Sequence, residues 1–159
     1  MQNRRAAREA ALKSIYAVDL GKNSTKDAVQ NIIKPIFNDD KDGIRFAEKL
    51  FLVTVDHTSE FDDIIKNHIK NWDVNRLAVI DKLIIRMAIS ELLYFDEIPT
   101  KVSINEAIEL AKQYSTRKSG NFVNGILDAI LSTLIDKGKI IKKGRGLIES
   151  SGGSWANPL

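Results

Sequence analysis

The sequence predicts an all-helical protein, and three observations predict it. Apolar residues recur at three- and four-residue spacing along most of the chain, which is the period of one face of an α-helix. No segment alternates apolar and polar residues between turn signals, as a half-buried strand would. The connections between patterned stretches are short, which favours a bundle of about seven helices. With 159 residues, 43% of them hydrophobic, the chain can bury a core without covalent help.

Each element can be justified in turn. From Arg4 to Leu20, Ala7, Ala11, Ile15 and Val18 fall at helical spacing and Gly21 ends the helix. Ser24 or Thr25 caps a second helix carrying Ala28, Ile32 and Ile33, which Pro35 and the polar run from Asn38 to Gly43 terminate. Ala47, Leu50, Phe51, Thr54, Phe61, Ile64, Ile65, His68 and Trp72 then keep the spacing over two consecutive helices with a break near His57 to Ser59. Asp73 caps a short turn containing Asn75 to Leu77. The following stretch, Val79 to Phe95, is apolar on nearly all sides, the pattern of a central helix packed all round. Asp96-Glu97-Ile98-Pro99 interrupts it. The next helix carries Ile104, Ala107, Ile108, Ala111 and Tyr114, with Ser103 and Glu106 at capping-box spacing. After the polar connection Ser115 to Gly120, the last helix carries Val123, Ile126, Leu127, Ile130 and Leu134, and Lys137-Gly138 closes the fold. Ile84, Met87, Ile108, Ile126 and Ile130 are expected in the core. Residues 1–138 thus read as one helical domain. Residues 139–159 read as a basic, then Gly/Ser-rich flexible tail, native or in part an expression remnant, whose composition cannot offset its ordering entropy.

The composition excludes several kinds of chemistry. Cysteine is absent, so there is no disulfide, thiolate metal site or cysteine nucleophile, and a reducing cytoplasm is the expected compartment. The start, Met1-Gln2-Asn3-Arg4-Arg5, lacks the apolar stretch of a secretory signal. Asp81, Lys82, Arg86 and Glu91 break the most apolar segment, so no membrane span is expected. His57 and His68 lack a carboxylate at metal-site spacing, and the acidic groups 39–42 and 60–63 lack the alternating ligands and glycine of a calcium loop. No phosphate-binding glycine loop or nucleophile elbow occurs. Asn23-Ser24-Thr25 reads as a helix cap rather than a glycosylation acceptor. No catalytic residue, metal or cofactor is therefore expected.

The charge is unevenly divided. Residues 1–22 hold five basic and two acidic groups, residues 23–111 eleven and sixteen, and residues 112–159 eight and three. Basic ends around an acidic middle suit a protein that shows one face to a polyanion and another to a second partner. Arg4, Arg5, Arg8 and Lys13 make a short cationic ridge, with Arg4 and Arg8 on one face. Lys112, Arg117 and Lys118 lead into Asn121-Phe122 at a helix start, where unpaired backbone N–H groups favour anions. Arg binds phosphate bidentately, and Tyr16 and Phe122 are able to stack on unpaired bases, so single-stranded RNA fits better than duplex DNA. Against this stands the plain alternative of solvated arginines and core aromatics.

The run Asp81 to Leu93, then Ile98-Pro99, then Ile104-Asn105-Glu106-Ala107-Ile108-Glu109-Leu110-Ala111-Lys112, then Asn121-Phe122-Val123-Asn124-Gly125-Ile126-Leu127, resembles the signature half of the NusB transcription antitermination family in order and spacing. Arg4-Arg5-Ala6-Ala7-Arg8-Glu9 resembles that family's arginine-rich start, so the likeness spans residues 4–136. It implies two perpendicular three-helix subdomains, binding of boxA RNA of ribosomal RNA transcripts, pairing with the ribosomal protein NusE, and a place in the RNA polymerase antitermination complex. Residue by residue it implies RNA contacts at Arg4, Arg5, Arg8, Tyr16, Lys118, Asn121, Phe122 and Asn124. Asp81 and Glu91 become candidates for the NusE-facing side, whereas Arg86 reads as structural. Ala6 departs from the family's basic start and implies modest affinity for RNA alone. Two rival readings are the NusB-like domain of a ribosomal RNA methyltransferase, for which no glycine motif follows residue 136, and a helical protein-binding adaptor without RNA affinity.

Overall fold

A computed structural model describes residues 4–69 and 77–148, and every regular element among them is helical. The elements are α1 (Arg4–Asp19), α2 (Thr25–Ala28), a π-helical turn (Val29–Ile33), α3 (Lys34–Phe37), α4 (Lys41–Asp56), α5 (Thr58–Lys66), α6 (Val79–Tyr94), α7 (Thr100–Tyr114), α8 (Arg117–Asp136) and α9 (Arg145–Ile148). They fall into two compact units that divide after Thr58. The expected contributions of Trp72, Asp73 and Asn75 lie outside the described residues.

In the first unit α1 packs on α4. Ala7, Ala10 and Ala11 are fully buried, and their small side chains let the two helices approach closely. α1 ends as expected: Gly21 adopts φ 75°, its N–H donates to Val18 O, and the Lys22 N–H donates to Ala17 O, the paired bonds of a Schellman stop. Ser24 caps α2 by accepting from the Asp27 N–H at 3.0 Å. Pro35 does not end the helical run. The backbone widens into the π-helical turn just before it, which absorbs the bond Pro35 cannot donate, and Asn38 at φ 49° makes the stop. Asp40 then caps α4 by accepting from the Gly43 N–H at 3.0 Å. Any Cβ on Gly43 would lie 2.6 Å from Phe37 Cδ1, so glycine is required for Phe37 to pack there.

The second unit is built around α6, whose residues from Leu83 to Leu92 are all buried; α7 and α8 pack on it and on each other. Arg86 donates through Nε and Nη2 to the two carboxylate oxygens of Asp62, both at 2.8 Å, and this two-point pairing makes it structural, as expected. His68 is also structural: its Nδ1 donates to Ile64 O at 2.8 Å and its Nε2 lies 2.8 Å from Thr133 Oγ1. Ile84, Met87, Ile126 and Ile130 are buried. Ile108 is only half-buried, because the inward face of α7 is carried by Ser103, Ile104, Ala107, Leu110 and Ala111. Ser103 is not a cap either. The helix begins at Thr100 after Pro99, and Ser103, inside it, donates to Glu91 Oε1 at 2.8 Å.

The fold continues past Gly138. Lys142 is buried, and its Nζ donates to Glu91 O at 3.0 Å and Phe95 O at 2.8 Å, carbonyls that also accept the Phe95 and Ile98 N–H groups and use a second lone pair for the ammonium. The Lys143 N–H donates to Asp96 O, and a Cβ on Gly146 would collide with that same oxygen. Residues 139–148 are thus strapped onto the α6–α7 corner rather than trailing from it; residues 149–159 lie outside the described residues. No helix among the described residues is long and apolar enough to cross a membrane.

Candidate nucleic-acid interface

Two helix starts carry the cations, one in each unit. The first turn of α1 holds no acid. Arg4 and Arg5 are exposed, and the Arg4 guanidinium lies 4.2 Å from the centroid of the Phe46 ring on α4. Arg8, one turn on, lies 5.2 Å from the same ring and is only 3% exposed. The expected cationic ridge of Arg4, Arg5, Arg8 and Lys13 therefore loses one member from the surface: Arg8 is turned into its own unit, toward an aromatic face that attracts a cation. Tyr16, farther along α1, is 40% exposed.

The second start is that of α8. The helix begins at Arg117, four residues before the expected position, because Thr116 accepts the Ser119 N–H at 3.0 Å and caps it. Arg117 and Lys118 consequently occupy the first turn, both exposed, and that turn contains no acidic residue of its own. That is the reverse of the usual preference within a helix, since the positive end of the helix dipole repels cations; the carboxylate that reaches this turn, Asp81, lies beneath it on Ser119, and the outer side where the cations stand is open to an external anion. Lys118, Asn121 and Asn124 follow at three-residue spacing, and all three are exposed, so they share a side of the helix. Phe122 is half-buried. Gly125 is exposed with open space around it, leaving uncovered backbone near Asn121 and Asn124. On the inner side Gly120 has the opposite role: a Cβ there would lie 2.9 Å from Lys112 Cγ, so glycine lets α8 press against α7. Arg117 belongs to the basic segment that the sequence already picks out, and a cap at Thr116 would have placed it inside the helix; Gly125 was not singled out as a site residue.

The two acids proposed for a partner are not available to one. Asp81 is 6% exposed and accepts from Ser119 Oγ at 2.9 Å, and Glu91 is 2% exposed and accepts from Ser103. Buried carboxylates are retained where they are paired, and both are paired inside the second unit. Among the described residues no three His, Asp or Glu side chains assemble as a metal site.

Exposed cations on the first turn of a long helix, in a chain built only of helices among its described residues, mark the candidate site of a helical protein. Comparison with known proteins then gives its kinship. The chain belongs to the NusB family, whose profile matches residues 5–132. It is 46% identical over 148 residues to the transcription antitermination protein NusB of Salinibacter ruber, covering 93% of this chain and 92% of that one. Its fold superposes on T. maritima NusB with a TM-score of 0.72 at 37% identity, over 82% of this chain and 91% of the other. A crystal structure of antitermination factors NusB and NusE in complex with dsRNA gives a TM-score of 0.75 at 28% identity, over 84% and 98%.

Proposed function

We propose that this protein is a non-enzymatic RNA-binding adaptor of transcription antitermination, which binds the boxA RNA of ribosomal RNA transcripts together with the ribosomal protein NusE and so joins the RNA polymerase antitermination complex. The observation that carries the RNA half is the acid-free first turn of α8, with Arg117 and Lys118 exposed and Asn121, Phe122 and Asn124 following. Backbone N–H groups, two cations and a ring edge at one helix start suit a phosphate and an adjacent base. Arg4, Arg5 and Tyr16 supply a second contact region on α1. The NusE half is supported by the likeness to the solved NusB–NusE–RNA complex; with Asp81 and Glu91 buried, it rests on no residue assignment.

The test is a binding titration of the protein with a single-stranded boxA RNA, a scrambled strand and a duplex, each with and without NusE. The reading requires preference for boxA that NusE strengthens. Equal binding of all three RNAs under both conditions sinks the boxA assignment, and no binding of any of them leaves a helical adaptor that contacts protein alone.

A further inference from the structure

A buried hydroxyl and carboxylate lie directly beneath the exposed cations of α8. Ser119, the third residue of that helix, is 7% exposed, and its Oγ lies 2.9 Å from Asp81 Oδ2, 2.9 Å from Ser115 Oγ and 3.1 Å from Thr116 Oγ1. An ionised carboxylate only accepts, so the single Ser119 proton goes to Asp81. Ser119 Oγ is left to accept from Ser115 and Thr116, and the direction of the whole chain of bonds is set. The Ser119 N–H meanwhile donates to Thr116 Oγ1. Residues 115, 116 and 119 are therefore tied to one another and, through Asp81, to the first turn of α6.

Arg117 and Lys118 are the two residues enclosed by this set of ties, and they are exposed where their neighbour Ser119 is buried. Fixing the backbone on both sides of them limits where their side chains reach, whatever the long chains do in solvent. Asp81 has a second reason to be where it is. It lies in the first turn of α6 and bonds the first turn of α8, so the positive ends of two helix dipoles favour its charge. Its other oxygen, Oδ1, is buried with no hydrogen-bond partner among the described residues, where the Ser119 hydroxyl is the side-chain donor that anchors this carboxylate. A carboxylate kept under those conditions acts as a latch: remove the hydroxyl and it has no donor, remove the carboxylate and the α8 corner loses its tie to α6.

We propose that Asp81, acting through Ser119, is a positioning residue for RNA binding: it holds the first turn of α8 so that Arg117 and Lys118 meet the phosphate backbone in a fixed register. The inference rests on the assignment of α8 to the RNA interface. Asp81 contacts no RNA itself.

The experiment is a double-mutant cycle on the full chain, read as affinity for a short single-stranded boxA RNA across a salt series. The variants are Ser119→Ala, Asp81→Asn, the pair Arg117→Ala/Lys118→Ala, and the pair combined with Ser119→Ala. Ser119→Ala should weaken binding roughly tenfold, the scale of one missing bond to a charged group. It should also flatten the salt dependence, by up to about 0.7 in slope for each phosphate that the displaced cations no longer reach. Asp81→Asn, which keeps an acceptor for the Ser119 hydroxyl, should restore most of the affinity. In the background lacking both cations Ser119→Ala should have almost no further effect, a non-additivity that a fall in overall stability does not produce. If Ser119→Ala lowers the melting point too far for titration, Ser115→Ala, which removes one tie only, takes its place in the cycle with a smaller effect in the same direction. Full additivity, or an unchanged slope in Ser119→Ala, overturns the positioning role while leaving α8 as the RNA site. No effect of the Arg117/Lys118 pair overturns the α8 assignment itself, and the positioning role with it.

Discussion

The starts of α1 and α8 are both basic and acid-free, yet they hold their cations in opposite ways. On α1 the guanidinium groups of Arg4 and Arg8 lie against the Phe46 ring, and Arg8 is buried. On α8 Arg117 and Lys118 are exposed, and it is Ser119 beneath them that is buried and bonded. The difference lies in which group meets the unit's interior. A cation that stacks on its own protein's aromatic ring stabilises that protein and has less of its surface left for a ligand. A cation raised on a pinned backbone contributes little to stability and is presented to one. Two segments that look alike as strings of charge therefore differ in what their cations meet, an aromatic ring of the same unit on α1 and solvent on α8.

The comparison breaks or sharpens first on stability. Replacing Arg8 by Ala removes a desolvated ring contact worth about 2 kcal/mol, so urea unfolding should show a decrease of that order. Arg117→Ala/Lys118→Ala should stay within about 0.5 kcal/mol of the parent, as surface changes do. Equal decreases at the two sites would show that the contrast in burial has no energetic meaning.

Next in size is the effect of Phe122 on binding. Stacking of one base on an aromatic ring is worth about 1–3 kcal/mol, so Phe122→Ala should weaken the boxA RNA by a corresponding factor and leave the salt slope as it was, because no counterion is released by stacking. A slope that falls with the ring removed would mean that Phe122 acts by placing Lys118 and not by touching RNA.

The salt slopes themselves give a third comparison. The Arg117/Lys118 pair should lower the slope by roughly 1.4, at about 0.7 for each phosphate engaged on a single strand. Arg8→Ala should lower it by much less than one phosphate's share, since its charge is directed at Phe46. Slopes measured over a salt titration that rank the other way would place the main electrostatic anchor on α1.

The smallest expected effect is on pH dependence in the strap at residues 139–148. Burial pushes the Lys142 ammonium down from 10.5 to about 8, against the opposing attraction of Glu91, Asp96 and Glu97. Between those two values the unfolded chain carries a proton that the folded chain has released, so this residue's contribution to stability rises with pH through that window and is flat below about 8. Unfolding measured at pH 7, 9 and 10.5 should show the parent gaining relative to Lys142→Met. A parent and variant that stay parallel would show that the strap binds charged and neutral lysine equally.

Much of this was legible from the order of residues. The helical spacing located α1, the α4–α5 break, the buried α6 and the core face of α8, because each of those depends on residues three and four apart that one stretch of chain supplies by itself. Gly21 as a stop and a cap at Ser24 or Thr25 were legible in the same way, the structure choosing Ser24, and Arg86 read as a structural residue. The candidate RNA residues were found as basic clusters, and the family likeness supplied the rest of that set.

What only the tertiary structure decided concerns partners far apart in the chain. Arg8 is buried because Phe46 is there to meet it; Ser103 is a donor to Glu91 and not a cap; Asp81 faces Ser119 and not a partner protein; Lys142 meets the Glu91 and Phe95 carbonyls at the end of α6. A polar side chain is kept out of water only when a specific acceptor or ring is waiting for it, and nothing in its own neighbourhood of the sequence says whether one is. The sequence by itself determined which faces of the helices are apolar and where the charges are concentrated, since both are sums over local residues. Which of those charges are on display, and which hold the protein together, was decided by non-local pairing alone.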